Sequence, residues 1–181
     1  MNTKKLSKSL TTALNAQMSK EAETAQVYFS YATWADNRGF RDIANFLFRH
    51  GQEERNHMMK ILEYIIKKGA KVLVTVIPPL PENPVSLHNC FEKVFEHEVE
   101  NTVAIYKLAK MCFDEEDWAT WNFMQWFVKD QVVEEKLEMN LYEKLKIKHS
   151  EKITGNTLYS LDRVWEKYLM KQDQHRVTDN P

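Results

Sequence analysis

A glutamate stands on the apolar stripe of each of four long helical patterns in this chain. These residues are Glu21, Glu54, Glu98 and Glu134, and each lies near the midpoint of its pattern. A buried carboxylate without a partner is strongly destabilising, so four of them on core faces must be compensated by protons or cations. In a bundle of nearly parallel or antiparallel helices the midpoints share one layer. We therefore predict an all-α bundle whose four carboxylates converge on one interior point.

Helix-breaking residues are scarce, which favours long helices. The 181 residues include only four glycines and five prolines, and the apolar residues recur at the spacing of an α-helix. The predicted helices span about 3–36, 40–68, 87–113, 115–148 and 157–169. The last helix is short, and we expect its apolar strip to pack against the bundle or against another subunit.

Residues 70–86 interrupt the helical pattern with β-branched residues followed by a proline cluster. Seventeen extended residues reach roughly 55 Å, whereas a helix of twenty-eight residues is about 42 Å long. The segment can therefore cross the whole bundle, so that the third helix runs parallel to the second. The alternative, a pair of β-strands, lacks a partner strand elsewhere in the sequence.

Charge and cysteine content narrow the function classes. The formal net charge is -1, with no basic block, which argues against a nucleic-acid surface. The polar N-terminus and the lack of a long apolar run argue against a signal peptide or a membrane span, so we expect a cytoplasmic protein. Cys90 and Cys112 lack the spacing of a zinc or redox motif, and we interpret both as reduced thiols in the core.

The glutamate layer has the composition of a site for two metal ions. His57 follows Glu54 by three residues and lies on the same helical face. We predict that Glu21, Glu54 and His57 hold the first metal. Glu54 should bridge to a second metal that is also held by Glu98 and Glu134. Oxygen and imidazole ligands suit iron or manganese better than a soft metal.

The second metal lacks an imidazole ligand, because Leu137 stands where a symmetric Glu-x-x-His pair would place a histidine. Gln131 is a weak ligand or a neighbouring group instead. The second metal should bind less tightly, which fits a site that loads and releases iron. Taken singly, a histidine or glutamate on an apolar face can also be an ordinary core or partly exposed residue, but coincidence on four helices favours a metal site.

Several segments carry a close resemblance to a known family. They are residues 14–21, 49–58, 97–98, 123–131 and 134–137. With them the chain resembles the bacterial non-haem ferritins, which are ferritin-like di-iron carboxylate proteins, over essentially its whole length. The resemblance implies a ferritin-like four-helix bundle with one long crossover and a short fifth C-terminal helix. It also implies a single domain over residues 1–170 and a polar tail over 171–181.

The resemblance further implies an iron storage protein with ferroxidase activity. Ferrous iron would be oxidised by dioxygen or hydrogen peroxide at a site for two irons per subunit. The ferric product would form a mineral inside a homo-oligomeric shell of 24 subunits, with the short last helix near the four-fold axis. Tyr28 matches the tyrosine that the family places near the centre. Trp126 is either a further electron donor or only a core aromatic residue.

Two related families fit less well, and other function classes stay open. Bacterioferritin has a haem-ligating methionine where this chain has Arg55 and a histidine where it has Leu137, so no haem is expected. Rubrerythrin needs a Cys-x-x-Cys pair that the sequence lacks. A di-iron oxidase or peroxidase that forms no mineral, or a metal-buffering helical bundle, would also tolerate the buried acids.

A third iron site of the family is altered in this chain. The resemblance places its ligands at Glu53, Asp130, Val133 and Glu134. Asp130 is one methylene shorter than the usual glutamate, and Val133 supplies no ligand. We therefore expect weak occupancy by a third iron, and we expect Val133→Glu to strengthen it.

Residues 114–117 are all acidic and stand at the start of the predicted fourth helix. They either stabilise the start of that helix through its dipole or line an iron-uptake pore near the three-fold axis that the family resemblance implies.

Overall fold

The computed structural model of the chain describes residues 5–80 and 82–149. Within these residues it contains four α-helices and no β-strand. They are α1, Lys8–Asp36, α2, Arg41–Lys67, α3, Leu87–Asp114, and α4, Trp118–His149. The predicted order of four long helices is confirmed, whereas the predicted fifth helix and the polar tail lie outside the described residues.

Capping side chains set two helix starts that periodicity alone placed too early. The predicted first helix includes residues 5–7, but Ser7 is extended and accepts a hydrogen bond from Leu10 N at 3.1 Å. The predicted fourth helix begins at residue 115, but Asp117 accepts one from Thr120 N at 3.1 Å. These side chains satisfy N–H groups that lack a partner within the helix, so both helices begin after them. Ser86 caps α3 in the same way.

The crossover connection passes along α1 from the end of α2 to the start of α3. Asn15 of α1 holds it by donating to Lys71 O at 3.0 Å and by accepting from Leu73 N at 2.6 Å. Further along, Ser19 Oγ lies 3.0 Å from Thr75 Oγ1. These backbone hydrogen bonds of the crossover thus go to a side chain of α1 and not to a partner strand. The predicted long crossover is confirmed, and the alternative of a β-strand pair is not supported within the described residues.

The apolar core is divided into two clusters by a polar layer. The cluster near the α1–α2 turn includes Tyr31, Phe46 and Phe91. The cluster near the α3–α4 turn has its own set of large side chains, which are Leu10, Leu14, Ile61, Ile65, Ile105, Met124 and Phe127. Between them each helix contributes buried polar residues, among them the four glutamates. Cys90 and Cys112 belong to these clusters as free, buried thiols, as predicted.

None of the described helices combines the length and the apolar composition that a membrane span requires.

Candidate metal centre

Three of the predicted ligands lie together in the middle of the bundle. Glu21 of α1 and Glu54 and His57 of α2 are buried, and one ligand atom of each lies within 4.8 Å of the other two. His57 Nδ1 is 3.3 Å from Glu54 Oε2 and 3.9 Å from Glu21 Oε2. Glu54 and His57 are three residues apart on one helix, so both side chains project toward α1. Two carboxylates and one imidazole could hold a single ion here.

Two buried amide side chains orient the carboxylate of Glu21. Gln17 Nε2 donates to Glu21 Oε1 at 2.7 Å and to Asn101 Oδ1 at 2.7 Å. Asn101 Nδ2 donates to Glu21 Oε2 at 3.4 Å. Both carboxylate oxygens are therefore directed by neighbours on α1 and α3, as is common for groups that hold metal ligands in place. Gln17 and Asn101 thus join α1 to α3 at this carboxylate.

The carboxyl groups of Glu21 and Glu54 bind protons more tightly than exposed carboxyl groups do. Burial, and then the negative charge of Glu54, raise the pKa of Glu21 well above its usual 4.5. Burial, and then the negative charge of Glu98, raise the pKa of Glu54 in the same way. The two side chains also hydrogen-bond each other. Protons thus balance part of the charge that a cation would otherwise balance.

His57 contacts carboxylates through both ring nitrogens. Burial lowers its pKa, but the hydrogen bond to Asp130 and the charge of Glu21 outweigh burial, and the pKa is raised overall. Nε2 lies 3.2 Å from Asp130 Oδ2, on the opposite side of the ring from Glu54. A carboxylate on the outer nitrogen orients a metal-binding imidazole and increases its basicity. Asp130 therefore contacts the ring nitrogen of a predicted metal ligand that faces away from Glu54.

Glu98 lies in the same layer with hydrogen-bond partners from two other helices, α1 and α4. Tyr28 donates its hydroxyl to Glu98 Oε1 at 3.0 Å, and Gln131 also hydrogen-bonds Glu98. Gln131 is held in turn by Thr102 Oγ1, which donates to Gln131 Oε1 at 2.7 Å. Burial raises the pKa of Glu98 to about 7, although these hydrogen bonds oppose the rise. Gln131 thus hydrogen-bonds a predicted metal ligand, and it is itself held by α3.

A second group of possible ligands forms around His50 of α2, which was not among the predicted ligands. One atom each of His50, Glu53 and Glu134 lie within 4.8 Å of one another. Glu134 Oε2 is 3.4 Å from His50 Nδ1. Glu134 is also close enough to Glu54 for its charge to raise the pKa of that residue. Glu134 therefore lies between the first group and His50.

The surroundings of two buried carboxylate oxygens indicate whether this layer suits metal ions. Glu54 Oε2 and Glu98 Oε2 are buried and accept no hydrogen bond from any residue in the described part of the chain. Such oxygens are costly to bury, and native proteins rarely leave them unsatisfied. Both belong to predicted metal ligands, and the surrounding donors are carboxylates and an imidazole, which suit divalent iron. The residues present therefore fit the metal pair that was predicted.

Residues 11–147 match a protein family described as a ferritin-like domain. The chain belongs to the ferritin family. It is 33% identical over 158 residues to a bacterial non-heme ferritin of Campylobacter jejuni, covering 87% of this chain and 93% of that protein. It is 32% identical over 158 residues to a probable bacterial non-heme ferritin-like protein of Haemophilus influenzae, covering 87% and 94%. An open-pore ferritin of Archaeoglobus fulgidus has the same fold, with a TM-score of 0.83, 34% identity, and coverage of 88% and 96%.

Ferritins bind iron, and in this ferritin an open pocket of about 390 Å³ leads to the first group of ligands. It is lined by His57, Glu53, Trp126 and Asp130, among others. Trp126 is 40% exposed and meets the His57 ring edge-on at 5.3 Å between centroids. Lys60 Nζ lies 3.8 Å above the Trp126 ring. The site is thus separated from solvent on this side by one histidine ring and its neighbours.

The acidic residues before α4 do not act as one group. Asp117 is buried, caps α4, and has Lys68 Nζ 3.6 Å from its Oδ1. Asp114 pairs with Lys110 four residues earlier on α3, and Glu115 accepts a hydrogen bond from Ser9. Asp117 therefore has the helix-stabilising role that was one of the two interpretations.

Proposed function

We propose that this ferritin oxidises ferrous iron at a two-iron centre in each subunit and stores the ferric product as an oxyhydroxide mineral inside a hollow homo-oligomeric shell. The observation that carries the proposal is the buried layer in which Glu54 Oε2 and Glu98 Oε2 accept no hydrogen bond within the described residues. Burial, and then the neighbouring acids, raise the pKa of Glu54, so a pair of cations would relieve both the missing contacts and the repulsion.

Each ferrous ion has a separate set of ligands in this proposal. Glu21, Glu54 and His57 would hold the first ion, because their ligand atoms already lie within 4.8 Å of one another. Glu54 would bridge to a second ion held with Glu98 and Glu134. The charges of both residues act on Glu54, which supports a shared site. The second ion has no imidazole ligand and should exchange more readily.

The oxidation step follows from iron as the substrate. Each of two ferrous ions gives one electron to dioxygen, which takes up two protons and becomes hydrogen peroxide. Hydrolysis of the ferric ions to oxyhydroxide releases further protons. The chain's contribution is to place both ions in one water-restricted layer and to accept or release protons at the carboxyl groups and at His57, whose occupancy by protons changes when metal binds.

Tyr28 is proposed as an auxiliary redox residue of this centre. Its hydroxyl donates to Glu98 Oε1 at 3.0 Å, so it lies one hydrogen bond from a ligand of the second ion. Trp126, in edge contact with His57, has the corresponding position beside the first ion. Either side chain could give one electron to an oxidised centre. A nearby group would then accept the proton that the oxidised side chain releases, or would balance its positive charge.

Self-assembly into a shell, which we propose to contain 24 subunits, is supported by the exposed apolar crossover. Val74 and Val76 are 82% and 93% exposed in the isolated subunit. Extended apolar surface of this kind is typical of contacts between subunits. Haem is not part of the proposal, because Arg55 stands where a haem-ligating methionine would be expected.

The test is rapid mixing of the apo-protein with ferrous iron and dissolved oxygen, followed by absorbance of ferric species. Glu54→Ala removes the bridge between both ions and should abolish rapid oxidation, whereas the exposed Glu96→Ala on α3 should oxidise at the wild-type rate. Both proteins should be shown to be folded and assembled by circular dichroism and light scattering. Wild-type oxidation by an intact Glu54→Ala protein would refute the assignment of the centre.

Storage is tested separately from oxidation. Loading with an excess of ferrous iron in air should yield a large assembly that retains ferric mineral after gel filtration. A metal-buffering bundle would take up iron without consuming oxygen. A di-iron oxidase or peroxidase would consume the oxidant but retain no more iron than its centre holds.

A further inference from the structure

We propose that Asn101 is a positioning residue of the first metal site, which acts through Gln17 and holds Glu21 so that one carboxylate oxygen binds a transition-metal ion. This inference rests on the two-metal centre proposed above. It adds a residue of α3 to the first site, and it gives that site a means of selecting among divalent ions. Asn101 was not among the predicted site residues.

Asn101 is a costly residue to bury where it stands. It is 0% exposed and lies on α3, three residues after Glu98. Asparagine is mostly found at the protein surface, and burying an amide is unfavourable unless hydrogen bonds replace those that it makes to water. The partners of Asn101 within the buried layer therefore account for its presence there.

These partners form a closed set of three side chains. Gln17 Nε2 donates to Glu21 Oε1 and to Asn101 Oδ1, both at 2.7 Å. Asn101 Nδ2 donates to Glu21 Oε2 at the longer distance of 3.4 Å. An amide nitrogen carries two hydrogens, so both donors of Gln17 are used. When Glu21 is ionised, turning either amide over would place a carbonyl oxygen against a carboxylate oxygen, so a single arrangement satisfies the set.

Gln17 has room to turn away from Glu21 when Asn101 does not hold it. It lines an open groove of about 280 Å³ on the α1–α3 side of the bundle. Ala16 and Ala104 also line this groove, and their small side chains leave space beside the glutamine. A glutamine side chain loses considerable rotamer freedom when it is held in one position. The short contact with Asn101 Oδ1 therefore keeps Gln17 Nε2 on the carboxylate.

The position of Gln17 decides which oxygen of Glu21 is offered to the metal. Oε1 accepts the short hydrogen bond from Gln17, whereas Oε2 lies 3.9 Å from His57 Nδ1. An ion held by His57 would thus be bound by Oε2, and Gln17 would oppose binding through both oxygens. Calcium takes roughly six to eight oxygen ligands, often both oxygens of one carboxylate, whereas transition-metal ions accept an imidazole with fewer oxygens. The arrangement therefore favours a transition-metal ion over calcium.

Cobalt(II) is the probe for this inference, because it takes imidazole and carboxylate ligands and its visible absorption bands report their number and geometry. Metal-free protein is titrated with buffered cobalt in the absence of oxygen, and calcium is then added as a competitor. Crystals grown with substoichiometric cobalt show by anomalous scattering whether the ion lies beside His57 Nδ1. The measurement uses no ferrous iron and involves no oxidation.

Two variants of Asn101 remove its amide in different ways. Asn101→Leu does so at nearly constant volume, and Asn101→Ala does so without adding apolar bulk. Each should weaken cobalt binding by about tenfold, change the cobalt absorption bands and lower the preference for cobalt over calcium. Circular dichroism should show that both variants are folded.

Thr24→Val is the matched control. Thr24 is buried on α1 and donates a hydrogen bond to Lys20 O at 3.0 Å. The variant therefore loses one buried hydrogen bond of the same helix that carries Glu21, but it leaves the carboxylate and its amides in place. It should bind cobalt with the affinity and the absorption bands of the wild type.

A double-mutant cycle tests whether Asn101 acts through Gln17. Gln17→Leu alone should weaken cobalt binding by about tenfold or more, and the addition of Asn101→Leu should cause little further loss. Two independent contributions would instead multiply to about a hundredfold.

The outcomes separate the role of Asn101 from the existence of the centre. Changed absorption bands in both Asn101 variants, together with a cycle that does not multiply, support the inference. A cobalt peak beside His57 whose bands and preference over calcium stay unaltered in the folded Asn101 variants refutes the role of Asn101 alone, as does a multiplicative cycle. Cobalt that avoids His57 in the wild type refutes the two-metal centre, and the role of Asn101 with it.

Discussion

Replacing one acid of the buried layer with its amide should stabilise the metal-free protein. Glu98 is the most informative choice, because it is 1% exposed and burial raises its pKa to about 7. In Glu98→Gln the side-chain oxygen can still accept the hydrogen bond of Tyr28. The new amide nitrogen can also donate toward the negative charge of Glu54, which the original carboxylate repelled.

The magnitude follows from the pKa. The folded protein binds a proton at Glu98 up to about pH 7, whereas the unfolded chain releases it near the usual 4.5. Unfolding therefore releases a proton between these values, and the free energy of unfolding falls as pH rises through that window. At about 1.4 kcal/mol for each pH unit, the interval from 4.5 to about 7 amounts to roughly 3 kcal/mol. Glu98→Gln should recover that amount at pH 8 and little at pH 4.5.

The assay is urea-induced unfolding of the apo-protein in a chelator at both pH values, followed by circular dichroism. Glu96→Gln, at an exposed position on the same helix, controls for the loss of one negative charge. His57 also has a raised pKa, so its contribution to the free energy of unfolding falls with rising pH in the same direction in each of the proteins compared. If Glu98→Gln is no more stable than Glu96→Gln at pH 8, the ionised carboxyl group of Glu98 does not destabilise the metal-free protein as we infer.

Three further predictions address packing, redox chemistry and ligand orientation. Gly51→Ala should lower the thermal midpoint by an amount equivalent to about 1 kcal/mol, because overpacking outweighs the gain in helix propensity. A Cβ at this position would lie 2.6 Å from a Phe29 ring atom. The additional substitution Phe29→Leu should therefore restore the thermal midpoint. Tyr28→Phe should change the decay of oxidised intermediates in stopped-flow spectra without changing the number of ferrous ions bound anaerobically. Gln17→Leu should weaken zinc binding at the first metal by about tenfold or more in equilibrium dialysis, and unchanged affinity would exclude an orienting role.

The fold was largely predictable from the sequence because its determinants are repetitive. Apolar spacing identified four helices, and the length of the segment 70–86 was enough to predict a crossover. The boundaries were less predictable, since they depend on single capping contacts. Ser7 and Asp117 each shorten a helix relative to its apolar pattern, and no periodicity reveals which polar residue will serve as the cap.

The candidate site was predictable in its residues but not in its contacts. One glutamate per helix and the Glu54–His57 spacing were enough to place the acids in a single layer. Which carboxylate faces which partner depends on side-chain rotamers and on packing across helices. Asp130 therefore lies beside His57 where the family pattern suggested a third iron site, and Glu134 lies beside His50, which no spacing rule had singled out.

The protons on the buried carboxyl groups connect the stability of the metal-free protein with the metal binding that we propose. Burial and mutual repulsion raise the pKa values of Glu21 and Glu54, so the metal-free layer is most stable when these groups are protonated. In the proposed centre, a divalent ion would compete for the same oxygens and would displace those protons, as well as the proton on the ring nitrogen of His57 that would bind it. The pH range that stabilises the metal-free bundle would therefore be the range that weakens iron binding. A layer of this kind would give up stability in the metal-free subunit to keep its ligands available for incoming iron.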